Sequence, residues 1–204
     1  MGRYLGTSEL FAYLFGTSGT IVGGGGTITA DQQSLLGSSI LEAESAIDDH
    51  TRRTFVATPG THYLNRFEQT NVVGQALYIN TDIYSLVAVQ NGDGQDIPLG
   101  SVWLEPRNEG PPFRIVRLKS SYVWVWNTDS DVILSGSFGY STTPPAAIVS
   151  ATKQLAAYLY LLKDVGPGGV TGFSEGGEVT YPPGMPDTVR IILEKYRSRS
   201  GGVV

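Results

Sequence analysis

Pro144-Pro145-Ala146-Ala147-Ile148-Val149-Ser150-Ala151-Thr152-Lys153-Gln154-Leu155-Ala156-Ala157-Tyr158-Leu159-Tyr160-Leu161-Leu162-Lys163-Asp164 joins a start signal, a long apolar period and a charged end. It predicts one long helix. Pro145 suits the first turn, where a missing N–H costs nothing. Ile148, Thr152, Leu155, Leu159 and Leu162 then recur at the four- and three-residue steps of one helical face. That face needs a partner, and Ala151, Ala156 and Ala157 let another helix come close.

Two matching stripes supply it. A helix opening at Thr29 or Asp31 and running to about His50 carries Leu36, Ile40, Ala43, Ile47 and His50 on one side, with Glu42, Glu44, Asp48 and Asp49 mostly off it. A closing helix over 186–197 starts near Pro186 and buries Val189, Ile192, Leu193 and Tyr196. A short helix over 7–15, capped by Thr7 or Ser8, would bury Leu10, Phe11 and Leu14 and stop at Gly16. The stretch 17–29, with Gly23-Gly24-Gly25-Gly26, reads as a linker. No Lys-Ser or Lys-Thr follows it, as a phosphate loop would require.

Between 54 and 140, β-branched and aromatic residues come in short runs broken by turns, the pattern of an antiparallel sheet. Strands are expected near 61–67, 76–80, 84–90, 101–104, 113–118, 121–127 and 131–138. Asn91-Gly92-Asp93-Gly94 makes a hairpin turn; a calcium loop would need an acid where Val102 stands. In Tyr122-Val123-Trp124-Val125-Trp126 both faces of a strand would be apolar. Either the sheet folds over into a sandwich or barrel, or the aromatic face docks on another subunit. Residues 165–185 read as a long Gly/Pro-rich loop, of the kind that is functional or disordered.

The expected fold is therefore α+β: an antiparallel helical bundle core of three to four helices with an inserted antiparallel β-sheet subdomain, sandwich- or barrel-like. It forms a single domain, with N-terminal helices in 1–55, the β subdomain in 56–143, C-terminal helices in 144–198 and a tail over 199–204. The 204 residues, 41% of them hydrophobic, suffice for such a core.

Composition excludes more chemistry than it offers. The chain has no cysteine, so no disulfide, thiolate nucleophile or cysteine-held metal. Its two histidines sit in no metal or catalytic motif, and adjacent Asp48 and Asp49 point about 100° apart on a helix. Catalytic, cofactor-binding and metal residues are expected to be none, and the protein is not expected to be an enzyme. A net charge of −5 disfavours gripping nucleic acid. Only 16% of residues are charged while 26 are glycine, which suggests a surface largely covered by other protein. No window has the ~20 apolar residues of a membrane span. The N-terminus lacks a basic region before an apolar core, so the chain is expected to stay in the cytoplasm where it is made.

Several stretches in order resemble tailed-phage head-tail connector proteins of the adaptor, or head-completion, family. They are Glu42-Ala43-Glu44-Ser45-Ala46-Ile47-Asp48-Asp49-His50-Thr51-Arg52-Arg53-Thr54-Phe55; the hairpin Tyr84-Ser85-Leu86-Val87-Ala88-Val89-Gln90-Asn91-Gly92-Asp93-Gly94; Phe138-Gly139-Tyr140-Ser141 leading through Pro144-Pro145 into Leu155-Ala156-Ala157-Tyr158; and Met185-Pro186-Asp187-Thr188-Val189 closing on Tyr196-Arg197. Family members commonly carry Gly where Arg52 stands. The resemblance implies a virion neck protein that forms a dodecameric ring below the portal protein. Such a ring extends the DNA channel and offers an attachment site to stopper or tail-completion proteins. Double-stranded DNA would pass without sequence-specific binding, and no membrane or cofactor is involved. Tyr122, Trp124, Trp126, Phe173, Tyr181, Arg197 and Arg199 are the expected protein-interface residues, with 165–185 and 197–204 facing the portal or the next ring. Gene-transfer-agent particles would use the same kind of adaptor. Another neck component, a stopper or tail-completion protein, is the nearer alternative. A carbohydrate-binding module with Trp103, Trp124 and Trp126 as a sugar platform is the more distant one.

Overall fold

The computed structural model describes residues 2–16, 29–65, 71–127, 131–162, 170–174, 177–180 and 184–198. Within them the chain is α+β, with four helices and a six-stranded antiparallel sheet. It divides into two compact units: Met1–Arg52 with Pro145–Arg197, and Arg53–Pro144 with Ser198. The linker expected over 17–29 falls, apart from Thr29, outside the described residues.

The first unit is helical. α1 (Thr7–Phe15), α2 (Ala30–Thr51), α3 (Ala146–Leu162) and α4 (Asp187–Glu194) are arranged so that α1 and α4 each pack on both α2 and α3. α2 begins with a reciprocal cap: the Gln32 N–H donates to Thr29 Oγ1 at 3.2 Å and the Thr29 N–H to Gln32 Oε1 at 3.1 Å. It ends on Arg52, whose φ of 54° and ψ of 41° are the left-handed values that favour glycine. α1 is capped at Gly6, not at Thr7 or Ser8, because the Glu9 carboxylate reaches back to accept the Gly6 N–H at 3.0 Å. Of its expected core residues only Leu10 is fully buried; Phe11 and Leu14 are half-buried.

Ile148, Thr152 and Leu155 of α3 are buried as their spacing predicts, but Leu159 and Leu162 are only half-buried and Tyr160 takes their place. Phe15 of α1 meets the Tyr160 ring edge-on at 6.2 Å between centroids, which draws the buried face round by one position near the helix end. Glu44, expected off the apolar stripe of α2, is 1% exposed. Its carboxylate accepts the backbone N–H groups of Arg3 at 3.0 Å and Tyr4 at 2.7 Å, so the buried charge fastens the N-terminal segment to α2. Asp48 receives the Tyr4 hydroxyl at 2.5 Å and Arg3 Nη2 at 2.8 Å. Burial nevertheless outweighs these contacts and holds the Asp48 carboxyl above its usual value.

Residues 165–185, expected to be a loop, contain an antiparallel pair, β7 (Val170–Ser174) and β8 (Gly177–Thr180). The β-formers Val170, Thr171, Phe173, Val179 and Thr180 lie on either side of Glu175-Gly176 and supply the strand propensity.

The second unit is the sheet. Its strands β1 (Thr58–Leu64), β3 (Ala76–Gln90), β4 (Val102–Glu105), β5 (Phe113–Leu118) and β6 (Val132–Phe138) run in the order β1-β6-β3-β5-β4, while β2 (Asn71–Val73) pairs separately with β3. The two strands expected at 76–80 and 84–90 are one. Thr81-Asp82 reads as a break, but the Asp82 side chain, 2% exposed, takes Arg53 Nη1 at 2.9 Å and Arg114 Nε at 2.8 Å. With its charge met there, the strand continues. The first half of β3 pairs with β5 and the second with β6, across bulges near Ile83 and Leu86. At the second bulge β6 comes so close that a Cβ on Gly136 would stand 2.1 Å from the Ser85 carbonyl oxygen. Side chains from both halves, among them Leu77, Ile83, Val89, Val116, Leu118, Leu134 and Phe138, fill one core. His62 of β1 meets Phe138 with ring centroids 4.0 Å apart and planes tilted by 59°, and burial lowers its pKa.

The Asn91–Gly94 turn forms as expected, with the Asn91 N–H donating to Gln95 O at 2.8 Å; beyond it only a single bridge, Gln90 to Asp96, continues the ladder. The aromatic stretch 121–127 is not a strand of the sheet. Two side-chain amides and one backbone N–H hold it. Asn91 donates to Val123 O at 3.0 Å and accepts the Val125 N–H at 2.9 Å, while Gln75 donates to Tyr122 O at 3.2 Å. The Gly92 N–H donates to Val125 O at 3.2 Å, and a Cβ there would meet that oxygen at 2.4 Å.

Asp82→Ala leaves two guanidinium groups facing each other without their counter-ion, and is expected to cost about 3–5 kcal/mol of stability on urea unfolding followed by circular dichroism. A loss below about 1 kcal/mol would mean that solvent meets the arginines' charge unaided. Asn91→Ala removes both brackets on 123–125, with an expected cost of about 2–3 kcal/mol and a red shift of tryptophan emission; unchanged emission would refute the bracket. Because the folded Asp48 pKa lies above its unfolded one, the folded state holds the extra proton between the two values. Stability contributed by this group therefore falls as pH rises through that window. Urea titrations across the acid range should show the wild type losing stability relative to Asp48→Asn as pH rises, and a flat difference would contradict this.

Candidate functional site

Among the described residues no group of three or more His, Asp or Glu side chains is placed to hold a metal ion. No described helix is long and apolar enough to cross a membrane. The adjacent acids of α2 part company: Asp48 is occupied by Tyr4 and Arg3, and Asp49 points to solvent. What the chain offers is surface, and the candidate sites are the places where that surface is apolar, aromatic or charged without compensation.

The expected interface residues fall in different settings. Trp124 is 9% exposed and donates its indole N–H to Gln75 O at 3.0 Å, so it belongs to the sheet's core. Tyr122 and Trp126 are half-buried against the same core, while Val123, on the opposite side of the chain, is exposed. The aromatic face thus covers the sheet of its own unit. This also removes the sugar platform, which needs three open ring faces where Trp124 has none. Phe173 lies in β7. Arg197 is exposed just beyond α4, with Nη1 3.8 Å from Glu194 Oε1. Tyr181 and Arg199 lie outside the described residues. His50, expected on the apolar stripe, is half-buried with Nε2 3.3 Å from Glu194 Oε1.

Two further surfaces emerge from the structure, one of them around Trp103, which the sequence offers only as part of a sugar platform. The first surrounds Trp103 on β4, which ends the path of the sheet. The ring is 38% exposed, with the Arg107 guanidinium 3.3 Å and the Lys119 ammonium 5.5 Å from its centroid. Lys119 also donates to Gly100 O. Beside them Arg117 forms a two-pronged pair with Glu105, at 2.8 and 3.1 Å, which holds the Glu105 carboxyl below its usual value. Cross-strand pairing of Trp103 with Arg117 brings these groups together, a register that spacing within β4 alone does not reveal.

The second surface is the outer side of α2, where Leu35, Ser38, Leu41, Glu42, Ser45 and Asp49 are all exposed. Positions 35, 38, 42, 45 and 49 alternate three- and four-residue steps, so they form a continuous stripe opposite the buried one. Here the sequence did carry a signal. Leu35 and Leu41 each adjoin a core residue, Leu36 or Ile40, and cannot share its face.

No protein-family model matches the chain, and no curated protein matches it. Solved structures do. The chain is similar to one from the neck of an empty GTA particle computed with C6 symmetry, at a TM-score of 0.63 and 17% identity over 98% of this chain and 92% of that one. It is similar to a chain in the virion of a native gene transfer agent (GTA) particle, at 0.57 and 16% over 96% and 90%. A third, from the neck of a native GTA particle computed with C12 symmetry, gives 0.54 and 15% over 98% and 96%. At such identities the likeness is one of fold, and it extends over nearly the whole of both chains.

Proposed function

We propose that this chain is a structural, non-enzymatic neck protein of a tailed-phage or phage-like particle: a head-tail connector of the adaptor type. Copies form a ring, dodecameric by the family resemblance, below the portal protein. The ring extends the channel through which DNA passes and presents a seat for stopper or tail-completion proteins. The observation that carries this reading is the fold likeness to chains from particle necks, which spans 98% of this chain in two cases. It agrees with the connector-like stretches of the sequence. The net charge of −5 supports a channel wall that DNA slides past without being held. The apolar and charged surfaces on α2 and β4 suit contacts with neighbouring protein. In this reading Arg197, Arg199, Phe173, Tyr181 and the 165–185 segment face the portal or the next ring.

Electron microscopy of particles produced with and without the chain tests the proposal. Filled or leaking heads separated from complete tails, only when the chain is absent, are the expected result. Joined particles in its absence would overturn the connector role. Ring density seated against the portal would distinguish an adaptor from a stopper, which would sit farther down the neck.

A further inference from the structure

A closed ring of identical chains needs two unlike, mutually complementary patches on each copy, so that the front of one meets the back of the next. The two surfaces described above differ in the required way. Around Trp103 stand Arg107 and Lys119, neither within ion-pair distance of a carboxylate among the described residues; Glu105 is bonded to Arg117, with Arg107 also acting on its charge, and Glu109 is exposed in the same turn. On α2, Glu42 and Asp49 are exposed and likewise lack a cationic partner among the described residues. Charges of opposite sign, none of them in an ion pair among the described residues, thus occur on separate elements, each beside exposed apolar area.

We propose that the Trp103 patch of one copy docks on the outer face of α2 of the next. The proposal rests on the ring reading above. Glu42 and Asp49, seven residues apart, are about 10 Å apart along the helix, and the small Ser45 lies between them. Arg107 and Lys119 lie 3.3 and 5.5 Å from the centre of the one indole ring. The indole fits over Ser45 with Leu41 at its flank, 56% exposed in the free chain, while the two cations reach the two carboxylates. Tryptophan and arginine are the residues that most often anchor protein interfaces, and here both belong to one patch. An acidic segment of a different neck protein is the competing occupant of the Trp103 patch.

Charge reversal separates the possibilities. One variant carries Glu42→Lys with Asp49→Lys, the other Arg107→Glu with Lys119→Glu; each is supplied to particles lacking the wild-type chain, and ring density in the neck is measured by electron microscopy. Each alone should lower ring occupancy roughly tenfold or more, since two close pairs become repulsive. Supplied together, the variants should restore a ring in which they alternate, because each reversed patch then meets its complement. A ring that persists with either variant alone, or no recovery when both are present, overturns the contact; loss confined to the Arg107/Lys119 variant assigns that patch to another protein. Thermal melts of the purified variants check folding. Should reversal lower the midpoint, the milder pairs Glu42→Gln/Asp49→Asn and Arg107→Gln/Lys119→Gln carry the same comparison, each expected to reduce ring occupancy. Intact rings in reversed variants would refute only this contact, whereas normally joined particles without the chain would refute the connector role itself.

Discussion

The sheet unit depends on a carboxylate placed where a strand would ordinarily fail. Asp82 lies in the middle of β3, almost wholly buried, where a charge without partners is costly. Arg53, just after α2, and Arg114, in β5, meet it from two sides. The Asp82 carbonyl also accepts the Gly139 N–H at 2.8 Å, which ties in the end of β6. With those partners β3 runs for 15 residues and serves β5 with one half and β6 with the other. Glu44 plays a comparable part in the helical unit by receiving two backbone N–H groups from the N-terminal segment. In both units a buried acid fastens segments far apart in sequence, a role that apolar packing, being non-directional, does not fill.

These acids also mark the boundary of what could be read from the chain alone. Periodicity located α2, α3 and α4, because the buried stripe of a helix repeats within one turn of itself. The Asn91–Gly94 turn was legible for the same local reason. The roles of Asp82 and Glu44 are not legible locally, since their partners lie 29 and 40 residues away. The 122–126 stretch misled in the opposite direction. Its alternation is that of a strand, but Asn91 and Gln75 take Tyr122 O, Val123 O and the Val125 N–H, groups that a neighbouring strand would otherwise use. Arg52 is a different case: its left-handed backbone is one that glycine most readily takes, and this chain adopts it with a bulky residue. Of the candidate surfaces, the exposed leucines of α2 could be inferred from helical geometry. The cluster around Trp103 required the register of β4 on β5.

The order of the two units along the chain bears on how the protein emerges from the ribosome. The sheet unit is continuous from Arg53 to Pro144 apart from Ser198, whereas the helical unit is split on either side of it. When α2 leaves the exit tunnel, α3 has yet to be translated, and the intervening stretch takes about 5–20 s at ordinary elongation rates. Through that interval Leu36, Ile40, Ala43 and Ile47 have no α3 to cover them. Nascent chains crowded on one message would therefore display an adhesive helix early. Ser34, Ser38, Glu42, Ser45 and Asp49, exposed on the other side of α2, offset that adhesiveness while the helix waits.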